Sequence, residues 1–513
     1  MSGTMAMKKE PSGLMLVAIV VVLALANFLA ILDITIVNVL VPQIAGSLAV
    51  SSADGTWVIT SYAVAEAIMV PLTGWLAERF GPVRVFVLGI FGFGIVSVLC
   101  GFATTLPMLI VFRILLGICG GPLIPLSQTL LLKVVPEKHE VAALAVWSMT
   151  TILAPVAGPA LGGIIADQWS WPWAFYFKLP LALPLAALAW YVLKDHELPT
   201  VKSRVDFVGL GLLILWVSAL QIMLGNGQNM DWFNSDFIVA LLIVTILGFI
   251  AFVIWEMTDK APIVNLRVFA NRSFSVSMVV IALAYGAMFG AVVLVPLWLQ
   301  NILGYTATLA GYNTAFAGIF SVIFAPITTK LMTKWDHRLL VMIGLLLCAG
   351  SSLMRIFFNN EMTFEFLLWP QVLQGLSFPL IIIPLMDMSV SSLPPQDTAS
   401  GAGQFNFIRT LSGAIATALV VAVWENAIKW NKAVLAGTVQ HGQDMLTALQ
   451  ASGFSEQKAR SLFDLGVMQQ AAQLGTNQTF LAVGVVLLVT AAAVWLAPKP
   501  PRHANNGKPP MGH

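Results

Sequence analysis

The chain has 513 residues, of which 58% are hydrophobic and only 10% charged, against roughly a quarter charged in ordinary soluble domains. A formal net charge of +2 gives no electrostatic case for nucleic acid, and composition excludes a soluble globular fold. Cys100, Cys119 and Cys348 stand at unrelated spacings inside apolar stretches, so neither a disulfide framework nor a thiolate metal site is suggested.

Apolar runs of about 20 residues, the length an α-helix needs to cross about 30 Å of hydrocarbon, recur along nearly the whole chain. They predict an all-α polytopic membrane protein with fourteen spans, at about 14–41, 55–77, 84–104, 107–132, 141–166, 173–193, 206–225, 236–256, 274–301, 308–331, 338–358, 365–391, 399–424 and 477–497. The first run is too long for the apolar core of a signal peptide and lacks a small-residue cleavage site, so it reads as span one. The expected organisation is a cytoplasmic tail (1–13), a six-helix half (14–193), two inserted helices (206–256), a second six-helix half (274–497) and a cytoplasmic tail (498–513). Residues 425–476 form the one sizeable external loop in this reading, with a helical look over 443–472. It reads as a solvated cap or as a docking surface for a periplasmic partner.

An even number of spans returns both termini to the same side, and the positive-inside rule tests that count. Of the 26 Lys and Arg, only Lys429, Lys432, Lys458 and Arg460 fall on the opposite side. Arg113, Lys178, Arg355 and Arg409 lie within or at the edge of spans, and the remaining 18 fall in segments assigned to the cytoplasm. One missed span would scramble that pattern.

The halves carry a weak parallel repeat. Val39-Leu40-Val41-Pro42 returns as Val293-Leu294-Val295-Pro296, and Arg113, Leu115, Gly117, Pro122 and Pro136 match Gln371, Leu373, Gly375, Pro379 and Pro394. Two six-helix halves are expected of a transporter whose substrate site lies between them at the midplane. The repeat fails at the charges: Asp33 maps to Ala287, Arg113 to Gln371 and Glu66 to about Ser321. On this reading the buried charges belong to the first half, which handles ions while the second shapes the cavity.

A carboxylate inside a span costs several kcal/mol unless it has a partner or a task. By the 1.5 Å rise per residue, Asp33 lies roughly 12 Å, Arg113 roughly 10 Å and Glu66 roughly 15 Å from the external ends of their spans. Two acids and one base in one layer cannot all pair, which leaves an acid to take up and release a proton. Asp33 is the expected coupling acid, Arg113 the residue that controls it, and Glu66 the binder of a cationic substrate or a second proton. The opposing reading is a buried salt bridge that only fixes helix packing. Arg409, in the middle of span thirteen, lines the cavity or binds an internal carboxylate, and Asp387 is interfacial.

Gly74-Trp75-Leu76-Ala77-Glu78-Arg79-Phe80-Gly81-Pro82-Val83-Arg84 resembles the loop between spans two and three that marks the major facilitator superfamily, with Glu78 where Asp is usual. The resemblance implies that Gly74, Glu78, Arg79, Gly81 and Arg84 form a charge relay holding the cytoplasmic side closed. Span five carries Ala154-Pro155-Val156-Ala157-Gly158-Pro159-Ala160-Leu161-Gly162-Gly163. Gly158 and Gly162 there permit close helix approach, and Pro155 and Pro159 interrupt backbone hydrogen bonds. This resembles the antiporter motif of the superfamily and favours export. Arg113 to Pro122 looks like its span-four motif. Leu32-Asp33-Ile34-Thr35-Ile36-Val37-Asn38-Val39 followed by Pro42 looks like the span-one motif of its fourteen-span branch.

Over nearly its whole length the chain is similar to the EmrB-type drug:proton antiporters, with Glu66 at a position often neutral there. The resemblance implies a proton-driven multidrug efflux pump of the bacterial inner membrane, without a cofactor, working with a periplasmic membrane-fusion protein and an outer-membrane channel. Trp147, Met149, Tyr285, Met288, Phe289, Phe316 and Phe407, with Arg409, are candidates for an adaptable cavity for small lipophilic substrates, each with packing or lipid contact as the alternative. A proton-linked importer or uniporter of a small nutrient would use the same fold, and the span-five motif argues against it. There is no GxxxxGK[ST] loop for a nucleotide, and the six histidines are scattered without an HExxH pattern that would point to a membrane enzyme.

Overall fold

The computed structural model describes residues 13–197, 200, 206–259, 262–359, 362–394, 397–438, 450–452 and 455–498. Apart from their innermost residues, the expected tails 1–13 and 498–513 lie outside these, as do several side chains of the fifth helix, among them those of Pro155 and Pro159. Among the described residues all regular structure is helical. The first half comprises α1 (Gly13–Ser47), α2 (Trp57–Phe80), α3 (Pro82–Gly101), α4 (Leu106–Val134, in two segments meeting at Gly121 and Pro122), α5 (Glu137–Gln168) and α6 (Leu179–Leu193). Then come α7 (Phe207–Asn226) and α8 (Asp236–Thr258). The second half comprises α9 (Arg272–Asn301), α10 (Ala307–Met332), α11 (His337–Met354), α12 (Trp369–Val390), α13 (Thr398–Thr438) and α14 (Glu456–Ala493). Thirteen of these are long and apolar enough to cross a membrane among the described residues. The other, α5, is 32 residues long.

Several helices start where a short polar side chain satisfies a free amide. Asn271 Oδ1 accepts from Ser273 N (2.9 Å), Asp336 Oδ1 from Arg338 N (3.0 Å) and Asp206 Oδ1 from Gly209 N (2.8 Å). All three caps lie at the end of the bundle where α1 begins. That end carries most of the Lys and Arg and is called the basic end below; the other is the far end.

The repeat is visible as one helix crossing built twice. A Cβ on Gly117 of α4 would meet Tyr62 O at 2.7 Å and Glu66 N at 3.1 Å on α2. In the second half a Cβ on Gly375 of α12 would meet Ala317 O and, at 2.9 Å, Phe320 Cβ on α10. Tyr62 and Ala317, like Gly117 and Gly375, are repeat partners. Ser321, the counterpart of Glu66, donates to Gly375 O (2.6 Å). A buried acid in one half is thus a serine tied to backbone in the other.

The halves meet on both sides of the midplane. Nearer the basic end, Asn406 Nδ2 of α13 donates to Gln128 Oε1 of α4 at 2.6 Å. Toward the far end, a Cβ on Gly311 of α10 would stand 3.0 Å from Ala160 Cα of α5, so these helices touch backbone to backbone. The inserted pair packs against the seam of α2 and α13, where Leu213, Trp216, Val217 and Phe252 form a separate apolar cluster with Ala67 and Leu72.

Within the external segment expected at 425–476 the described residues are largely helix, extending beyond the helical stretch expected there. α13 continues to Thr438 and α14 already begins at Glu456, while 439–449 and 453–454 lie outside the described residues. With 41 and 38 residues, each is about 60 Å long, twice the hydrocarbon thickness. They are zipped together: Trp424 Nε1 donates to Thr476 Oγ1 (2.8 Å), Asn431 Nδ2 to Gln478 Oε1 (2.9 Å), and Gly475 seats against the Ile428 backbone. Polarity ends the membrane-crossing stretch without ending the helix, because Gln, Ala and Leu remain good helix formers in water.

Candidate functional site

Asp33 of α1 is completely buried, and each of its oxygens is taken by a cation. Arg113 of α4 donates from NH1 to Oδ2 at 2.5 Å, and Lys178, at the head of α6, donates from Nζ to Oδ1. Arg113 has anchors of its own: Nε donates to Val58 O (2.9 Å), and the guanidinium lies over the Tyr62 ring at 4.4 Å. Lys178 has the Phe175 ring at 4.7 Å as its other close neighbour. The expected layer of two acids and one base therefore contains a second base.

Lys178 reaches this depth because the turn Trp173–Tyr176 folds back into the bundle. Ser97 donates to Phe175 O (2.9 Å), and Tyr176 Oη donates to Gly101 O (2.7 Å). In the sequence Lys178 reads as a residue at the edge of span six. Its signal was a lysine beside an aromatic turn on the side of the protein otherwise poor in Lys and Arg.

Glu66 of α2 is buried in the same layer, and its Oε1 has no hydrogen-bond partner among the described residues. It lies within electrostatic reach of Asp33, Arg113 and Arg409. Arg409 of α13 is 3% exposed, its NH1 lacks an acceptor among the described residues, and its guanidinium stands 5.6 Å from the Tyr285 ring of α9. Tyr285 stacks on Phe289 at 5.5 Å and 16°. An acid of the first half with an unbonded oxygen and a base of the second with an unbonded NH1 thus act on each other electrostatically, beside the stacked Tyr285 and Phe289. The buried charges are not confined to the first half, since Arg355 and Arg409 are both buried in the second. Hydropathy registers how many charges a span carries, but not which way each side chain points.

The glycines of α5 seat it on α1 next to Asp33. A Cβ on Gly158 would overlap Thr35 and stand 3.0 Å from Ile36 N, and one on Gly162 would stand 3.0 Å from Ile36 O. Thr35 Oγ1 donates to Ala154 O (3.3 Å), and Asn27 Nδ2 to Thr151 Oγ1 (2.7 Å). Among the described residues this is the most extensive helix pair. α5 is continuous helix through Pro155 and Pro159.

Of the other cavity candidates, Met149 and Phe316 are half-buried and Met288 is buried. Trp147 is completely buried and donates from Nε1 to Ser127 Oγ of α4 (2.8 Å), so it packs between helices rather than lining a cavity. Phe407 meets Trp216 of α7 edge-on at 6.1 Å and belongs to the inserted-helix seam.

At the basic end Gly81 joins α2 to α3 with φ +93°. A Cβ there would stand 2.5 Å from Glu197 Oε1, just beyond α6. Sequence reasoning missed Glu197, whose carboxylate accepts from Val83 N (3.2 Å) and Arg84 N (3.1 Å) at the positive start of α3. It also lies 3.8 Å from Arg84 Nε. Arg79 stands over the Trp75 ring (5.5 Å), a Cβ on Gly74 would be in open space, and exposed Glu78 acts electrostatically on Lys133 of α4. Arg79 and Arg84 line a groove of about 460 Å³ on the outside of α2, α3 and α4.

Comparison with known proteins agrees with this architecture. The Major Facilitator Superfamily model matches residues 23–417. The chain is 40% identical to the Multidrug export protein EmrB of Escherichia coli (strain K12) over 98% of this chain and 99% of that protein. It is 39% identical to the Fatty acid resistance protein FarB of Neisseria gonorrhoeae over 94% and 96%. A bacterial homolog of the human lysosomal transporter Spinster, inward-facing and unoccupied, superposes with a TM-score of 0.58 at 16% identity, covering 95% of this chain and 97% of that one. The human organic anion transporter MFSD10 gives 0.58 at 14%, covering 93% and 99%. These two likenesses speak to fold alone. By its helices, its repeat and its near full-length similarity, the chain belongs to the major facilitator superfamily, in the branch of the EmrB-type proteins.

Proposed function

We propose that the protein exports amphipathic, lipophilic compounds in exchange for protons, by alternating access between α1–α6 and α9–α14. The observation that carries this reading is the fully buried Asp33 carboxylate, shared by Arg113 and Lys178 and set against the glycine seat of α5. A proton arriving at Asp33 competes with the two cations for the same two oxygens. Loading and releasing it therefore rearranges contacts among α1, α4 and α6. Arg113 keeps its place through Val58 O and Tyr62, which makes it the fixed member that controls the acid.

Glu66 and Arg409 face the substrate from opposite halves, with Tyr285 and Phe289 as its apolar platform. Glu66 attracts cationic compounds or a second proton. The similarity to proteins named for multidrug export and fatty acid resistance supports a broad lipophilic range. No cofactor enters this reading. The membrane potential supplies about 2.3 kcal/mol per charge per 100 mV, enough for a concentration ratio of about 50 with one proton per cycle. We place the protein in the bacterial inner membrane with both termini cytoplasmic, handing substrate to a periplasmic membrane-fusion protein and an outer-membrane channel.

The test is substrate-driven proton release in proteoliposomes carrying a pH dye, with a panel of lipophilic cations and weak acids. Wild type is expected to move protons against substrate and Asp33→Asn to lose that movement. An unimpaired Asp33→Asn would make the buried charges structural and overturn the assignment.

A further inference from the structure

We propose that the second half holds a small monovalent anion, of the size of chloride, between Arg355, Gln374 and Ser352. Arg355 closes α11 and is 1% exposed. Its NH2 donates to Gln374 Oε1 of α12 (2.6 Å), and its guanidinium lies 5.2 Å from the Phe480 ring of α14. Its NH1 has no acceptor among the described residues. Gln374 Nε2 and Ser352 Oγ, both completely or almost completely buried, also lack partners there. Ser352 stands three residues before Arg355, one turn away on the same helical face.

The unmet atoms fix the sign of the missing partner. Arg355 NH1 and Gln374 Nε2 can only donate, and the serine hydroxyl can donate as well. A cluster of donors around a permanent positive charge calls for an anion rather than a cation. No carboxylate pairs with Arg355 among the described residues, and the ionisable group within electrostatic reach is the Cys348 thiol. A buried charge without a counter-charge is strongly destabilising. The first half meets the same problem with a carboxylate of its own, since Asp33 pairs with both Arg113 and Lys178. The repeat counterpart of Asp33 is Ala287 of α9, so the second half lacks that acid. The enclosure of the donor atoms limits the ion's size. Its place among α11, α12 and α14 sets it apart from Glu66 of α2 and Arg409 of α13, so it is a resident counter-ion rather than cargo.

Thermal unfolding of the purified full-length protein in chloride, bromide or gluconate at matched ionic strength tests the site. Wild type is expected to unfold at higher temperature in either halide, with a rise that saturates. Gln374→Glu puts a carboxylate directly on Arg355. It should raise the Tm in gluconate and abolish the halide response, and Arg355→Met should abolish that response too. A wild-type Tm indifferent to halide would overturn the proposal. So would a Gln374→Glu protein that keeps the full halide response, since the ion would then bind elsewhere.

Discussion

Replacing Asp33 by Asn leaves Arg113 and Lys178 pointing at each other across a site built for a negative charge. Asn keeps one acceptor oxygen and turns an NH2 group toward the other cation, so one donor faces another. Removing one partner from a buried charge group costs about 3–5 kcal/mol, because what remains is an uncompensated charge. Lys178→Met alone should be milder. It leaves the 2.5 Å pair of Asp33 and Arg113 intact and forfeits one charged hydrogen bond, about 1.5–3 kcal/mol. The informative protein is the double variant. With Lys178 also gone, only Arg113 faces the introduced amide, still held by Val58 O and the Tyr62 ring. Asp33→Asn with Lys178→Met should then be more stable than Asp33→Asn alone, by about 1–3 kcal/mol. Reversible unfolding in detergent, run as a double-mutant cycle, measures this directly. Strictly additive losses, or a double variant weaker than Asp33→Asn, would refute the claim that the three side chains act as one electrostatic unit.

Other expectations rest on separate contacts. Gly158→Ala drives a methyl into Thr35 and the Ile36 backbone; a cost of about 1–3 kcal/mol and a loss of export at normal expression are expected, and full export would show that the α1–α5 seat is not needed. Glu66→Gln should weaken resistance to lipophilic cations about tenfold, the equivalent of about 1.4 kcal/mol, while neutral compounds are still exported; equal loss for both classes would remove Glu66 from cation binding. Gly81→Ala meets both an unfavourable φ and the Glu197 carboxylate, at about 1–3 kcal/mol. That penalty should shrink in a Glu197→Ala background, as read by the same unfolding assay, and an unchanged penalty would leave backbone strain as its sole source.

The sequence alone marked the segments able to cross a membrane, because hydrocarbon demands long apolar helices whatever their neighbours are. It also showed the two-half repeat and singled out Asp33, Arg113 and Glu66 as candidates, since an ionisable group inside a span stands out without a structure. Only the tertiary structure decided how those residues are matched. Lys178 joins Asp33 because a turn held by Ser97 and Gly101 carries it inward. Trp147 and Phe407 have the chemistry of cavity residues, yet one fills the α4–α5 contact and the other faces the inserted helices. Arg355 reads as lying within or at the edge of a span, and it is buried with no carboxylate paired to it among the described residues. In water, an amphipathic pattern tells which face of a helix turns inward. In a membrane both faces are apolar, and helices associate through close packing and a few polar contacts. The facing of each side chain is therefore written in pairwise contacts between distant segments, and only the folded chain assembles them.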